Sequence, residues 1–296
     1  MTGDRKIWHW IVLAILSIIW GSSYILMKKG LESFSSLQIG TLRIFITFLC
    51  LLPTALYNLP ELKRENIMSL VLIGLMSNGI PAFLYPIAQT KISSSLAGML
   101  NSLTAVFTLV LGILFYKRQA IQTQIVGVFI GLLGAAGLLY DGSFRFNLFG
   151  LFVVLATVLN GFSSNEVSRV KGLNGLQITA LSFFMISPIA IIYLLFSDFS
   201  AATATANWAR NLGCIAILAI LGSAVAQVLF YLLIRDTTPL FASLVSYFIP
   251  VIATMWGLAD NEHLTFSMLI SIIVIFAGVF IISKPDFLRK LRQMIK

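Results

Sequence analysis

The sequence predicts an all-α integral membrane protein with ten transmembrane helices, arranged as two inverted five-helix repeats around a central cavity. Three observations predict this fold class. Of the 296 residues, 58% are hydrophobic and only 10% are charged, whereas soluble domains carry about 25% charged residues. The apolar residues form continuous stretches, each long enough to cross ~30 Å of hydrocarbon. The two halves of the chain also resemble each other in sequence.

The apolar stretches follow one another with short polar connections. Continuous apolar runs favour helices over the alternating strands of an outer-membrane barrel. Ten spans of ~20 residues leave under about ten residues for each connection, so no soluble catalytic domain fits between them. In chain order the predicted spans are Trp8–Met27, Leu37–Leu56, Ile67–Ala88, Ser94–Tyr116, Gln122–Tyr140, Leu148–Val167, Leu176–Phe196, Leu212–Ile234, Leu240–Ala259 and Phe266–Ser283.

Several spans carry individual features. The first is predicted to be retained rather than cleaved as a signal peptide, since Trp20 and Tyr24 occupy the region where a small-x-small cleavage site would follow. The third contains Pro81 and the ninth contains Pro250, and proline removes a backbone hydrogen bond and kinks a helix. The fifth carries Gly127 and a second glycine four positions later. This small-residue spacing predicts close helix contact, within one chain or between two.

The distribution of positive charge predicts the orientation. Most of the 20 Lys and Arg residues fall on one side if the chain starts in the cytoplasm, and such an excess marks the cytoplasmic side. We therefore expect a multi-pass protein of the inner (plasma) membrane with both termini cytoplasmic. The predicted organisation is a first five-helix repeat at 1–141, a second at 148–284 and a basic cytoplasmic tail at 285–296.

The two halves match in order at a shift of about 140–145 residues. The matches pair Leu37–Ile39 with Leu176–Ile178, Ser95–Ser102 with Leu240–Tyr247, Trp20–Ser23 with Leu159–Ser163, Gly112 with Gly257, and Lys117 with Glu262. Because each half has an odd number of spans, the two copies enter the membrane in opposite directions. Inverted repeats of this kind are a transporter architecture, with substrate held near the midplane between the repeats.

Several short segments follow one another in a distinctive order, namely Trp20–Tyr24, Leu42–Phe45, Phe248–Val251 and Glu262 before the last span. Through these residues the chain resembles the drug/metabolite transporter superfamily, and within it the EamA-type ten-helix family. The resemblance implies export or exchange of small metabolites, such as amino acids, through a central cavity. Family members often have an acidic residue where this chain has Lys117, so only the second repeat keeps that acid, as Glu262.

Arg43 is the one basic residue that falls well inside a predicted span. A charge at membrane depth costs ~2.5–3.5 kcal/mol on insertion scales, so it needs a reason. One interpretation is a cation that faces the cavity and binds a substrate carboxylate. The alternative is a structural residue that extends its side chain to the interface or pairs with backbone carbonyls.

Polar and aromatic residues cluster on corresponding spans of the two repeats. Together they predict a cavity lined by hydrogen-bonding groups and aromatic rings. The alternative is that the small polar groups join neighbouring helices, for ~0.6 kcal/mol apiece, and that the aromatic rings lie at the membrane interface. With Arg43, the candidate substrate-binding residues are Trp20, Ser22, Ser23, Tyr24, Asn78, Tyr85, Asn101, Thr104, Asn160, Ser163, Ser223, Gln227, Tyr231, Ser246 and Tyr247.

These features predict a transporter that exports or exchanges amino-acid-like, zwitterionic or anionic metabolites by alternating access. We expect no catalytic residues, cofactor or metal site, since the two histidines lie near helix ends and no acidic pair falls within a span. The expected partners are a small-molecule substrate and the lipid bilayer, without nucleic acid. The oligomeric state stays open, and a monomer is compatible with the sequence.

The acidic residues bear on energy coupling. Proton antiport commonly uses a carboxylate held within the membrane, but Glu166 and Glu262, the acids nearest to span centres, both lie close to helix ends. Exchange or facilitated diffusion is therefore favoured over proton coupling. The alternatives are proton-coupled drug or multidrug efflux and a membrane scaffold or sensor that transports nothing.

Overall fold

The computed structural model describes residues 7–119, 121–139 and 147–283, and this part of the chain is almost wholly helical and contains no strand. Nine of its helices are long and apolar enough to cross a membrane, and a shorter apolar helix follows at Phe266–Ile282. The predicted all-α membrane fold with ten helices is confirmed. The predicted basic tail, 285–296, lies outside the described residues.

The observed helices agree with the predicted spans to within a few residues. The largest differences are four residues, at the first and the eighth helix. The first ends at Leu31 instead of Met27, and the eighth begins at Trp208 instead of Leu212, because both helices extend into polar stretches. Labelled in chain order, the helices are α1 (Ile7–Leu31), α2 (Ser36–Asn58), α3 (Arg64–Gln89), α4 (Ser94–Tyr116), α5 (Gln122–Leu139), α6 (Leu148–Val167), α7 (Gly175–Leu195), α8 (Trp208–Asp236), α9 (Pro239–Ala259) and α10 (Phe266–Ser283).

Helices α2 and α7 begin with the same local structure. Gln38 N donates to Ser35 Oγ at 3.2 Å, and the Gln38 side chain accepts from Ser35 N at 2.9 Å. Gln177 and Asn174 form the same reciprocal pair, with both distances 2.9 Å. Such a capping box satisfies two of the free N–H groups at a helix start. The repeated Leu-Gln-Ile sequence therefore marks the same helix start in both repeats.

Several helices change type near the middle of the bundle. A π-helical segment occupies Gly74–Gly79 in α3 and another occupies Leu218–Val225 in α8. In α9 the residues Ser243–Tyr247 form a 3₁₀ segment just before Pro250. The first π segment lies just before Pro81, and insertions of this kind accommodate a missing backbone donor. The predicted proline kinks thus take the form of wider or tighter turns.

The two repeats pack with the same register. A methyl group placed on Gly21 would lie 2.5 Å from Ile252 Cβ in α9, and one on Gly161 would lie 2.8 Å from the Phe107 carbonyl carbon in α4. Gly21 and Gly161 are partners in the sequence repeat, as are the segments of α9 and α4 that they meet. Helices α2 and α7 pack together, as do α5 and α10. Two inverted five-helix repeats are therefore present.

Glycines bring α5 and α10 into backbone contact within one chain. A methyl group on Gly278 would lie 2.5 Å from Gly131 N and 2.6 Å from Gly127 O. Positions this close admit only glycine, because any side chain would separate the helices. The small-residue spacing of the fifth span therefore serves contact inside the monomer.

Candidate functional site

A cavity lies at the centre of the bundle between the two repeats. The space in it that protein atoms leave empty is about 700 Å³, and this volume includes the part that is open to solvent. Helices α1, α2, α3, α4, α6, α8 and α9 supply its walls, and no lining residue in the described part of the chain comes from α5, α7 or α10. The lining residues are Trp20, Ser23, Tyr24, Met27, Arg43, Ser77, Pro81, Tyr85, Asn101, Thr104, Asn160, Ser164, Gln227, Phe230, Val245, Ser246 and Ile249.

Most of the candidate residues chosen from the sequence lie in this lining. Together they come from all seven lining helices, and all of them carry polar or aromatic side chains. These residues are Trp20, Ser23, Tyr24, Arg43, Tyr85, Asn101, Thr104, Asn160, Gln227 and Ser246. The fold thus brings together side chains that are far apart in sequence.

The other candidates lie outside the lining. Ser22 faces away, and its hydroxyl accepts a hydrogen bond from Trp256 Nε1 at 2.9 Å on an exposed face. Tyr247 packs against Phe276 of α10, with ring centroids 5.9 Å apart. Ser223 contacts a lining residue from behind, and the remaining three are buried behind the cavity wall: Asn78, Ser163 and Tyr231.

Arg43 projects from α2 into the cavity. Its Nε donates to Ser223 Oγ at 2.5 Å, so the second π segment holds the guanidinium in place. The phenol groups of Tyr24 and Tyr85 line the same cavity and lie near the charge of Arg43. Within the described residues, the ion pairs involve other basic side chains and none involves Arg43. The cavity therefore contains a guanidinium that lacks a carboxylate partner.

Tyr85 organises a polar network beside Arg43. Its hydroxyl donates to Asn101 Oδ1 at 2.7 Å and accepts from Asn160 Nδ2 at 3.2 Å. Thr104 Oγ1 lies 3.5 Å from the same Asn101 oxygen. The network joins α3, α4 and α6, so it fixes both amide side chains within the cavity wall.

Aromatic rings form another part of the wall. Trp20 Nε1 donates to Gly222 O at 2.9 Å, which fixes the indole against α8. The Trp20 ring meets Phe230 edge to face, with centroids 5.0 Å apart. Tyr24 and Tyr85 meet in the same way at 5.8 Å. The cavity thus combines an apolar aromatic surface with a cation and neutral hydrogen-bonding groups.

A carboxylate joins helix ends at one end of the bundle, which we name the Glu262 end. Glu262 follows α9, and its side chain accepts a hydrogen bond from Lys28 Nζ at 2.8 Å. Lys28 is the next residue after Met27 of α1, which lines the cavity. It also accepts from the backbone N and the hydroxyl of both Ser94 and Ser95, at 2.5–2.9 Å. A helix N-terminus favours negative charge. The carboxylate therefore ties the ends of α1, α4 and α9 together.

The ionisation of this end follows from its contacts. Burial by itself would raise the pKa of Glu262, but hydrogen bonds from Lys28, Ser94 and Ser95 lower it to about 2. The neighbouring Asp260 contacts Lys28 at 2.8 Å and Lys29 at 2.9 Å, and these hydrogen bonds lower the Asp260 pKa. Both carboxylates are therefore ionised at neutral pH.

The opposite end is held differently. Glu166 of α6 accepts from Ser69 Oγ and from Tyr116 OH, both at 2.5 Å, which joins α3, α4 and α6. At the Glu262 end α1 packs against the start of α4. Their repeat counterparts, α6 and the start of α9, have no comparable contact among the residues that the structure describes. The two ends of the bundle are therefore packed asymmetrically.

Sequence reasoning missed several lining residues. Met27, Val245 and Ile249 are ordinary apolar residues within spans, and nothing in the sequence separates them from lipid-facing neighbours. Ser77 and Ser164 lie directly beside the candidates Asn78 and Ser163. The rotation of a helix about its axis decides which of two adjacent polar residues faces a cavity. The sequence therefore indicates the polar cluster on each helix, but not which of its members lines the cavity.

These features define a multi-pass α-helical membrane protein in which two inverted repeats enclose a polar cavity, as in membrane transporters. The profile of the EamA-like transporter family matches residues 8–140 and again 147–284. The chain belongs to the EamA-like transporter family.

Several known proteins are similar to this chain. YedA of Escherichia coli strain K12, named an uncharacterized inner membrane transporter, is 26% identical over 250 residues, covering 83% of this chain and 80% of YedA. An uncharacterized transporter of Archaeoglobus fulgidus is 22% identical over 279 residues, covering 92% of this chain and 98% of its own length. A solved crystal structure superposes with a TM-score of 0.65 at 14% identity, covering 92% and 94% of the two chains, which shows the shared fold.

Proposed function

We propose that this protein exports or exchanges a small metabolite that carries a carboxylate, such as an amino acid. The supporting observation is Arg43, whose guanidinium lines the cavity without an acidic partner among the described residues. A charge at membrane depth is costly unless something compensates it. A substrate carboxylate supplies that compensation through a charge-assisted hydrogen bond worth about 1.5–3 kcal/mol.

The rest of the lining supports the same substrate class. No Asp or Glu is among the described lining residues, so a lone cation would lose its hydration without gaining a counter-ion. Trp20 and Tyr24 offer rings against which an apolar or aromatic portion can pack. An anionic or zwitterionic metabolite with an apolar part matches this combination better than a lipophilic cation does.

Alternating access is the mechanism that we propose. The Glu262 network holds α1, α4 and α9 together at one end, whereas α6 and the start of α9 are less closely packed at the other. Transport then requires that the Glu262 network breaks while α6 and α9 approach each other. Inverted repeats suit such an exchange, because each end can adopt the packing of the other.

The test is uptake into proteoliposomes of purified protein, with labelled amino acids and with a labelled lipophilic cation. Arg43→Gln is expected to lower amino-acid uptake about tenfold or more, which corresponds to ~1.4 kcal/mol or more of lost binding. Arg43→Lys, which retains the charge, should retain part of the uptake.

Arg210→Gln is the matched control, because Arg210 forms an exposed ion pair with Glu32 at 2.9 Å. Its uptake should equal that of the wild type. Movement of the cation without any amino acid contradicts the proposal and favours drug efflux. Absence of any flux favours a scaffold or sensor.

The orientation is part of the same proposal. With both termini in the cytoplasm, the Glu262 end faces outward, and the protein lies in the inner (plasma) membrane. A reporter enzyme that is active only in the cytoplasm, fused after the last residue, should be active. A reporter that is active only outside the cell, fused at the same position, should be silent, and the reverse result contradicts the orientation.

A further inference from the structure

Three polar groups behind the cavity wall are buried without a hydrogen-bond partner. They are Asn78 Nδ2, Ser163 Oγ and Tyr231 OH. Their residues are 6%, 1% and 0% exposed, and they come from α3, α6 and α8. Buried polar groups in folded proteins are almost always hydrogen-bonded, and an unsatisfied one destabilises the fold. Three such groups in one place indicate that something polar binds there.

The three groups lie close together next to the cavity. The Tyr231 hydroxyl lies beside the side chains of Ser77, Ser163, Gln227 and Asn78, without a well-formed hydrogen bond to any of them. Ser77 and Gln227 also line the cavity, where Gln227 Nε2 donates to Ser77 Oγ at 2.8 Å. One hydrogen-bonded pair of side chains therefore lines the cavity and also lies beside the cluster.

The π segment of α3 explains how adjacent residues serve both places. A π turn contains more residues than an α turn, so successive side chains are rotated less relative to each other. Within Gly74–Gly79, Ser77 reaches the cavity and the next residue, Asn78, reaches the cluster. A functional site is a common location for such a segment.

We infer that Asn78, Ser163 and Tyr231 form a second subsite of the cavity, which binds an uncharged hydrogen-bonding group of the substrate. This inference rests on the proposed function, in which Arg43 binds the carboxylate of the same molecule. The side chains around the Tyr231 hydroxyl are all neutral, so a charged group would be buried without compensation. A hydroxyl or carboxamide fits, since each can donate and accept.

Entry to this subsite requires one local change. The Gln227 side chain must release Ser77 and rotate toward the cavity, which breaks a single neutral hydrogen bond. The incoming substrate group replaces that bond with contacts to the cluster. The preferred substrate is therefore a carboxylate with a neutral polar group on its side chain.

The test compares labelled substrates that differ by one hydroxyl, namely tyrosine with phenylalanine and serine with alanine, in uptake by the reconstituted protein. The wild type is expected to take up the hydroxylated member of at least one pair about tenfold more efficiently. Tyr231→Phe and Ser163→Ala each remove a single oxygen, and each should bring the preference in that pair close to equality. Ser22→Ala removes a hydroxyl on the exposed face, and it should keep the preference.

The outcomes separate the inference from the proposed function. Equal uptake within both pairs by the wild type, or a preference that survives both variants, overturns the inference alone. A preference that survives while Tyr231→Phe lowers the unfolding temperature of the ligand-free protein assigns the cluster to a structural water, which also overturns it. Absence of wild-type uptake for all four amino acids overturns the proposed function and the inference with it.

Discussion

Lys28 and Glu262, which are 234 positions apart in sequence, are joined by a 2.8 Å hydrogen bond between Lys28 Nζ and Glu262 Oε1. The same carboxylate oxygen accepts from Ser94 N at 2.9 Å, so it serves the end of α1 and the start of α4 together. The side chain of Glu262 is only 5% exposed. Because the carboxylate is shielded from water, although Lys28 is 34% exposed, the loss of this pair costs more than the loss of an ion pair between two exposed side chains.

Glu262→Gln is expected to loosen the Glu262 end of the bundle. The neutral amide leaves Lys28 and the N-terminus of α4 without their shared anion, so this end should open more often. The measurement uses Ser23→Cys in the cavity, after both native cysteines, Cys50 and Cys214, are replaced by alanine. Labelling by a membrane-impermeant thiol reagent applied at the Glu262 end should become severalfold faster.

Glu32→Gln is the control for that experiment. Glu32 pairs with Lys29 and Arg210 at the same end, but its side chain is 40% exposed. Exposed ion pairs contribute about 0–1 kcal/mol, so the labelling rate of Ser23→Cys should not change. Equal acceleration by both substitutions would mean that charge alone, and not the buried network, controls access.

The stability of the protein should depend on pH in a window set by Glu262. Its pKa is lowered from 4.5 to about 2 in the folded protein, so the ionised form favours folding. This contribution is complete above about pH 4.5 and is lost as the pH falls toward 2. Between pH 8 and 5, Glu262 should add no pH dependence to the unfolding temperature in detergent. At pH values below about 4.5, the unfolding temperature should decrease. Glu262→Gln should reduce that fall, and an unchanged pH profile would contradict the assignment.

Tyr85→Phe should weaken the polar wall of the cavity. The substitution leaves Asn101 Oδ1 without its 2.7 Å donor and Asn160 Nδ2 without its 3.2 Å acceptor. An unsatisfied buried group costs about 1–3 kcal/mol, so the free energy of unfolding should fall by that order. Tyr57→Phe, at a side chain that is 83% exposed, provides the control. Equal unfolding temperatures for the two variants would show that water occupies the vacated position.

Gly161→Ala should separate α6 from α4. The new methyl group would lie 2.8 Å from the Phe107 carbonyl carbon and from Thr108 N, and backbone atoms cannot move aside as a side chain does. Forced separation of packed helices costs about 1–3 kcal/mol. Gly213→Ala is the matched substitution in α8, since no heavy atom lies within 4 Å of its new methyl group. It should be neutral or stabilising by up to ~1 kcal/mol, and equal loss in both variants would contradict the packing argument.

Much of this architecture could be predicted from the sequence. Apolar length alone placed the spans, because a helix in lipid has one length scale. The repeated Gln38 and Gln177 indicated the repeat, and their capping boxes give the reason. Arg43 was visible because a cation within a span is rare. What these features share is that each follows from the chemistry of one short segment.

Other features could not be predicted because they depend on helix rotation. The π segment Leu218–Val225 contains no proline, so no local residue signals it. The sequence predicts Asn78, Ser163 and Tyr231 as lining residues, but they are buried outside the lining. A rotation of about 100° separates adjacent residues of an α-helix, so small differences in turn geometry decide which of two neighbours faces the cavity.

The backbone contact between α5 and α10 has a consequence for which mutations the chain can accept. Gly127 of α5 and Gly278 of α10 meet with no room for a side chain, whereas Phe129 and Leu133 of α5 are 65% and 70% exposed. Saturation mutagenesis of α5 should therefore distinguish two faces of the helix. On the face that packs against α10, replacements are excluded by their size, whatever their polarity. On the opposite face, residues of any shape are accepted, provided that they are apolar enough to contact lipid.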